Sequence, residues 1–177
     1  MGTPKALLQW QGTTLIDHVL AQVRAAAVDD IVVVLGPATQ HLAIVDVALA
    51  FNPDPATGRS ASIRSGCALV ADEVAAVLVQ SVDQPCPAEV LTALYTAALR
   101  LETVVAVPTY AGKRGHPVCF AGSLLPELRK VTEEEQGLRS IVRRHAGRLV
   151  EVPVSSESVL WNLNDPAAYA AARATSR

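Results

Sequence analysis

The residues of greatest chemical content in this chain are Asp83, Gln84 and Pro85, which close the apolar run of residues 74–82. A strand that ends on a carboxylate and then a proline puts a metal-capable side chain at the carboxyl edge of a sheet. In open α/β sheets that edge is where ligands bind. Asp165, just before Pro166, stands in the same kind of position. Two carboxylates at one sheet edge can share a Mg²⁺ ion, which takes one or two carboxylates and fills its shell with water and substrate phosphates. The competing role for each is a helix-start cap, since Asp accepts hydrogen bonds from the free N–H groups there.

Three further groups carry chemistry. Lys5 follows Gly2-Thr3-Pro4 and offers a point charge on a flexible stem, which suits a phosphate; a lysine near a terminus is otherwise simply solvated. Residues 52–66 run small residues and hydroxyls into a helix start. Free N–H groups and the helix dipole favour anions there, although the same composition also makes an ordinary loop and cap. Gly112-Lys113-Arg114-Gly115-His116-Pro117 is a basic, glycine-containing loop able to grip a charged substrate. The following proline holds His116 extended. A lone loop histidine is more often solvent-facing than catalytic, and its spacing from Asp83 fits no hydrolase triad. No serine lies in a nucleophile elbow.

These residues need elements to place them. Residues 15–24 carry apolar side chains at 15, 16, 19, 20 and 23, the stripe of an amphipathic helix, with Thr13 or Thr14 as its cap. Residues 31–36 form a continuous β-branched run, as in a strand buried on both faces, ended by Gly36-Pro37. The pattern then predicts a helix over 39–47, a strand at 49–51, a helix over 62–71 and a strand over 74–82. A helix over 87–101 has Pro87 in its first turn, where the missing N–H costs least. Strands at 103–107, 117–120 and 149–154, helices over 123–131 and 136–145, and an alanine-rich helix from 166 complete the chain. Strands alternating with helices predict an α/β fold with a mostly parallel sheet between two helical layers. No repeat or linker divides the chain, so residues 1–177 read as a single domain. In such folds a strand ordinarily precedes the first helix; residues 1–12 are too polar and too short to be one.

Composition excludes several function classes. Half of the residues are hydrophobic and 18% are charged, which builds a packed core rather than a disordered chain. Aromatics make up only 4%, so the core must be aliphatic. The net charge is −2 with no basic block, which argues against nucleic acid as a partner. Cys67, Cys86 and Cys119 are widely spaced and include no CxxC; they read as small buried hydrophobes in a reducing compartment. No apolar run approaches the roughly 20 residues of a membrane span, and no signal-peptide pattern is visible. A cytoplasmic protein is the expectation.

Several motifs recur in a fixed order. They are Met1-Gly2-x-Pro4-Lys5-x-Leu7-Leu8, Gly12-x-Thr14-Leu15, Val32-Val33-Val34-Leu35-Gly36, Asn52-Pro53 with Gly58 and Ser62, Asp83-Gln84-Pro85, Gly115-His116-Pro117-Val118 and Gly137-x-Arg139. Together they resemble the molybdenum cofactor cytidylyltransferase group within the MobA-like, molybdopterin-guanine-dinucleotide-synthase-like nucleotidyltransferases. The resemblance implies a three-layer Rossmann-like nucleotidyltransferase fold. It implies Mg²⁺-dependent transfer of CMP or GMP from CTP or GTP to a phosphorylated acceptor such as molybdopterin, with release of pyrophosphate and a molybdoenzyme as protein partner. It makes Lys5 and Asp83 catalytic, Lys5 on phosphate and Asp83 on the metal. Lys5, Asn52, Gly58 and Ser62 fall on the nucleotide side, and Arg114, Gly115, His116 and Pro117 on the acceptor side. Asp165 becomes a second metal ligand, where the family has an Asp-Thr-Pro-like segment and this chain has Asn164-Asp165-Pro166. Arg59 stands where the family often has methionine.

The family opens with a strand and a glycine-rich loop, L-A-A-G-x-S-x-R-M-G, of which this sequence shows only Met1-Gly2. The expectation is a sheet without its first strand, with Met1 an internal methionine of a longer protein. Residues 31–35 and 77–82 then have bare edges or pair with each other. The competing expectation is a non-catalytic, nucleotide- or pterin-binding relative that lost activity with the loop.

Overall fold

A computed structural model of the chain describes residues 4–26 and 30–175; the Met1-Gly2 pair lies outside them. A 3-10 turn at Lys5–Leu7 leads into a small hairpin of β1 (Gln9–Trp10) and β2 (Thr13–Thr14). Its turn residues Gln11 and Gly12 have φ of 47° and 86°, the doubly positive pattern whose twist matches two-residue hairpins. The Thr14 hydroxyl accepts from the Asp17 N–H and caps α1 (Leu15–Ala25), which buries Leu15, Val19, Leu20 and Val23. That is the predicted stripe.

Strands β3 (Val32–Leu35) and β4 (Ala48–Phe51) pair in parallel. Residues 39–47 between them do not form the predicted helix. They run as turns, with the Thr39 N–H on the Gly36 carbonyl at 2.9 Å and the Leu42 N–H on the Thr39 carbonyl at 3.0 Å. Ile44, Val45 and Val47 are β-branched and poor helix formers. Arg24 also donates to the Val45 carbonyl at 2.7 Å, so a tertiary bond takes the place of a helical one. Helix α2 (Arg59–Cys67) begins three residues earlier than predicted. There follow β5 (Ala76–Val79), α3 (Ala88–Ala98), β6 (Val105–Tyr110), β7 (Lys113–Arg114) and β8 (Val118–Ala121). The chain continues with α4 (Leu125–Leu128), α5 (Leu138–Arg144), β9 (Leu149–Pro153) and α6 (Pro166–Thr175).

The larger sheet has the order β5-β8-β6, with β9 parallel on the far edge of β6 and β7 folded back as a hairpin. Because β8 is antiparallel to both neighbours, β5, β6 and β9 all run the same way. Side chains alternate across it with the period of two that pleating imposes. Ala76, Ala106 and Cys119 face α1 and α3, while Val77, Val105, Val107, Val118 and Phe120 face α2, α4 and α5. All three cysteines are free and buried. Burial raises the Cys67 thiol and pushes those of Cys86 and Cys119 up to about 12, so they pack rather than react.

The β3–β4 pair forms a separate sheet, yet it lies in the same middle layer. Helix α2 packs on β3 through Gly66, where a Cβ would fall 2.9 Å from Val34 Cγ2, and its Ile63 and Cys67 share a cluster with Val77 and Val79. On the other face Ile31 and Leu78 pack on one cluster. Among the described residues β3 pairs only with β4 and β5 only with β8, so each keeps one edge without a strand and the two do not pair with each other. No helix among the described residues is long and apolar enough to cross a membrane.

A third cluster joins the ends of the chain. Trp10, Leu15, Leu163 and Ala172 pack with Trp161 and Tyr169, and the Tyr169 hydroxyl donates to the Gln9 carbonyl. This brings residues 163–164 beside Lys5.

Leu94 of α3 is 0% exposed and Leu101 is 95% exposed. Leu94→Ala is expected to cost about 2–5 kcal/mol, read as a lower urea midpoint with an unchanged slope. Leu101→Ala leaves the midpoint where it is.

Candidate active site

Beyond β5 the chain makes a tight loop over residues 80–87. The Gln80 amide donates to the Ser81 carbonyl at 2.7 Å and to the Gln84 carbonyl at 2.6 Å, and Gln84, Pro85 and Cys86 are buried. This fixes Asp83 at the carboxyl end of β5 with its carboxylate partly open to solvent. Lys5 donates to Asp83 Oδ2 at 2.8 Å and to Asn164 Oδ1. The Leu163 N–H donates to the Asp83 carbonyl at 2.9 Å. Three segments remote in sequence thus meet at Asp83 and Lys5.

Asp165 is placed differently. Its Oδ1 accepts from the Ala168 N–H at 2.9 Å and caps α6, so Asn164 and not Asp165 reaches the Lys5–Asp83 pair. Asp followed by proline at a helix start is itself a capping pattern, and that signal was open in the sequence.

Asn52 and Ser62 come together. Asn52 follows β4, is 3% exposed, donates to Ser62 Oγ at 2.9 Å and accepts from the Asp54 N–H at 3.1 Å. Gly58 turns the chain into α2 with φ of 106°, and any side chain there would strike Glu133. Glu133 Oε1 accepts from the Ser60 N–H at 2.6 Å. Hydrogen bonds from Ser60 and then the Arg59 amide and charge hold the Glu133 carboxyl below its usual range. Sequence reasoning did not find Glu133, which sits in a run of three glutamates with nothing to single it out.

His116 is set by backbone bonds on both sides. The Gly115 N–H donates to the Pro108 carbonyl at 2.8 Å and the His116 N–H to the Val159 carbonyl at 2.7 Å. Gly115 lies so close to the Val159 backbone that a Cβ has no room, and the His116–Pro117 peptide is cis. Burial lowers the His116 pKa; the Arg59 and Arg139 guanidinium groups lower it further, and Asp83 opposes them. The imidazole is therefore neutral at pH 7, among two arginines and the site carboxylate. Arg59 itself lies on the surface, but crowding by protein atoms lowers its pKa against the pull of Asp83 and Glu133. Arg114 instead donates to Glu151 at 2.7 Å, both side chains being exposed, and Lys113 is exposed beside it.

The chemistry available follows from this geometry. Among the described residues no three His, Cys, Asp or Glu side chains gather. What the site offers is two hard oxygens, Asp83 Oδ2 and Asn164 Oδ1, converging on a positive charge, the Lys5 ammonium. Such a donor pair fits a divalent ion that draws its other ligands from water and phosphate.

The sequence matches the MobA-like NTP transferase domain over residues 1–149, and the chain belongs to that family. Among solved structures it is similar to Rv0371c from Mycobacterium tuberculosis H37Rv, at 25% identity over 98% of this chain and 91% of that one, with a TM-score of 0.81. The manganese complex of Rv0371c aligns at 24% identity over 98% and 93%, with a TM-score of 0.82. The 2-C-methyl-D-erythritol 4-phosphate cytidylyltransferase from Thermus thermophilus shares the fold at 20% identity over 98% and 94%, with a TM-score of 0.70. No curated protein matches the sequence. The chain is a nucleotidyltransferase by family, with the α/β architecture of its relatives.

The histidines give a pH test. His18 and His116 both have folded pKa values below the ordinary 6.5, burial being the first cause in each. Below 6.5 the unfolded chain therefore binds more protons, so stability falls as pH drops from about 6.5 through the lower folded values, then levels off. Glu133 acts in the same direction only below its ordinary 4.5. Urea unfolding at pH 7.5 and 5.5 is expected to show lower stability at 5.5, with a smaller difference in His116→Gln. An unchanged difference in that variant removes His116 from its cationic surroundings.

Proposed function

We propose that this nucleotidyltransferase moves CMP or GMP from CTP or GTP onto a phosphate of an acceptor such as molybdopterin, in the cytoplasm, with Mg²⁺ as its ion and the whole chain as one domain. The observation that carries this reading is the junction of Lys5, Asp83 and Asn164 at the carboxyl end of β5. In the reaction an acceptor phosphate oxygen attacks the α-phosphorus of the NTP. The bond from that phosphorus to the α–β bridging oxygen breaks, and pyrophosphate leaves with that oxygen. A divalent ion held by Asp83 and Asn164 supplies neutralisation of the triphosphate charge. Lys5 exchanges its bond to Asp83 for phosphate oxygens and offsets charge that develops on the leaving group. Asn52, Gly58 and Ser62 form the base side, and Gly115, His116 and Pro117 form the acceptor side, with Arg114 at its rim. Asp165 joins the metal only if α6 gives up its cap. Transfers of this kind need positioning and charge neutralisation more than covalent help, which suits a site without an activated nucleophile.

One observation favours a second reading, a relative that binds nucleotide or pterin without turnover. The Lys5 ammonium already fills the point between Asp83 and Asn164, and among the described residues no three His, Cys, Asp or Glu side chains gather to hold a metal ion there.

A pyrophosphate-release assay with CTP or GTP, Mg²⁺ and molybdopterin separates the two. Release is expected, and Asp83→Asn is expected to lower it by about 10²-fold or more. Melting moves by no more than about 4 °C, since a partly exposed ion pair contributes little to stability. Undiminished turnover in Asp83→Asn sinks the metal assignment. Nucleotide binding without release establishes the second reading.

A further inference from the structure

We propose that Arg59 and Arg139 form a guanidinium clamp for a phosphate dianion beside His116. This deepens the reading above and rests on it for the identity of the reaction, though not for the binding itself. The clamp is built by two helix starts that meet. Arg59 is the first residue of α2 and Arg139 the second of α5. A Cβ at Gly137, which precedes α5, would lie 3.3 Å from Ser60 Oγ on α2. That contact lies one residue from Arg59 and two from Arg139, and the charges of both arginines reach His116.

Most other arginines are committed elsewhere. Arg64, Arg129 and Arg148 donate to backbone carbonyls, and Arg114 and Arg144 to carboxylates. Among the described residues the guanidinium groups of Arg59 and Arg139 make no hydrogen bond or ion pair. Their charges are felt at His116, and that of Arg59 also at Asp83 and Glu133. The nearby anions already have partners. Asp83 is bonded by Lys5, and Glu133 by the N–H of Ser60. Two cations therefore remain at the His116 side with no hydrogen-bonded counter-charge. A planar fork of donors matches phosphate oxygens bidentately, which a lysine cannot reproduce. The dianion comes either from a phosphorylated acceptor or from the triphosphate, and the chemistry is shared.

The test measures binding of inorganic phosphate, pyrophosphate and CTP to the full chain by calorimetry. The variants are Arg59→Ala, Arg139→Ala and each arginine changed to Lys. Both alanine variants are expected to weaken phosphate binding about tenfold or more, while the lysine variants recover only part of it. The melting temperature stays near that of the parent, because neither guanidinium holds the fold together. In the parent, added phosphate shifts the ring resonances of His116. Loss of phosphate binding with CTP affinity intact assigns the clamp to the acceptor, and parallel loss of CTP and pyrophosphate binding assigns it to the triphosphate. Either outcome supports the clamp. Phosphate and CTP binding that survive both alanine substitutions overturn it. A parent chain that releases no pyrophosphate yet binds phosphate through both arginines fails the transferase reading and leaves the clamp standing.

Discussion

Strand β6 is held on both edges, by β8 on one side and β9 on the other, and Val105 and Ala106 within it are 0% exposed. Backbone groups this far from water must be paired, and shifting them unpaired costs far more than a surface contact returns. That ladder fixes the Gly115–His116 part of the site. The Pro108 carbonyl holds the Gly115 N–H, the Thr109 carbonyl holds the Val154 N–H, and the segment after β9 holds His116 through the Val159 carbonyl. On the opposite side β8 carries β5, and β5 carries Asp83. The relative placing of Asp83 and His116 is inherited from one dry ladder, not from contacts within the site.

The Asn52–Ser62 pair hangs from a different support. Asn52 is bonded by its N–H to the Leu35 carbonyl of β3, and β3 has no ladder to β5 among the described residues. What couples the two sheets is α2. Arg64 donates from it to the Val131 carbonyl at 2.6 Å, Arg129 donates to the Cys67 carbonyl at its end at 3.0 Å, and Glu133 holds its start. Side-chain bonds of this kind are worth about 1–3 kcal/mol when they involve charge, and they bend more easily than a ladder. The distance between the Asn52–Ser62 pair and Asp83 is therefore the softest dimension of the site. The same gap leaves Val32, Val33 and Val34 on β3 and Val77, Leu78 and Val79 on β5 only half covered, and open apolar edges favour association between chains.

Much of the fold was legible because periodicity reports burial. The α1 stripe states which side chains face the core, and the structure buries Leu15, Val19, Leu20 and Val23 as it requires. Residues 39–47 misled because their apolar content is compatible with a helix while Arg24, remote in sequence, captures the Val45 carbonyl. The two hairpins were missed because Gln11-Gly12 closes a segment read only as too polar for a buried strand and Gly112 opens one read as a basic loop; the positive φ values of Gln11, Gly12, Ala111 and Gly112 are visible only in the structure. In the site, Asp83 was marked by its position at a strand end and residues 52–66 by the helix start they lead into, whereas Lys5, Asn52 and Ser62 were singled out individually by the family resemblance. Asn164 was hidden behind the more chemical Asp165, and Glu133 behind two identical neighbours. Neither choice is decided by residue type; both are decided by which loop the core brings within hydrogen-bond reach.

The charges of the site are arranged for exchange. Lys5 and Asp83 satisfy each other while both remain partly exposed, so their pair is worth no more than about 1 kcal/mol and gives way at little cost. On the proposed reading, a polyanion with a divalent ion would offer each member a stronger partner, phosphate oxygens for the ammonium and the ion for the carboxylate. Glu133 stands in the same relation to the start of α2, where its carboxylate occupies N–H groups that any anion would seek. The resting protein thus carries internal counter-ions at its ligand points. On the proposed reading a ligand that replaces them conserves local charge, and it meets Arg59 and Arg139 beside a neutral His116, two cations with no hydrogen-bonded counter-charge among the described residues.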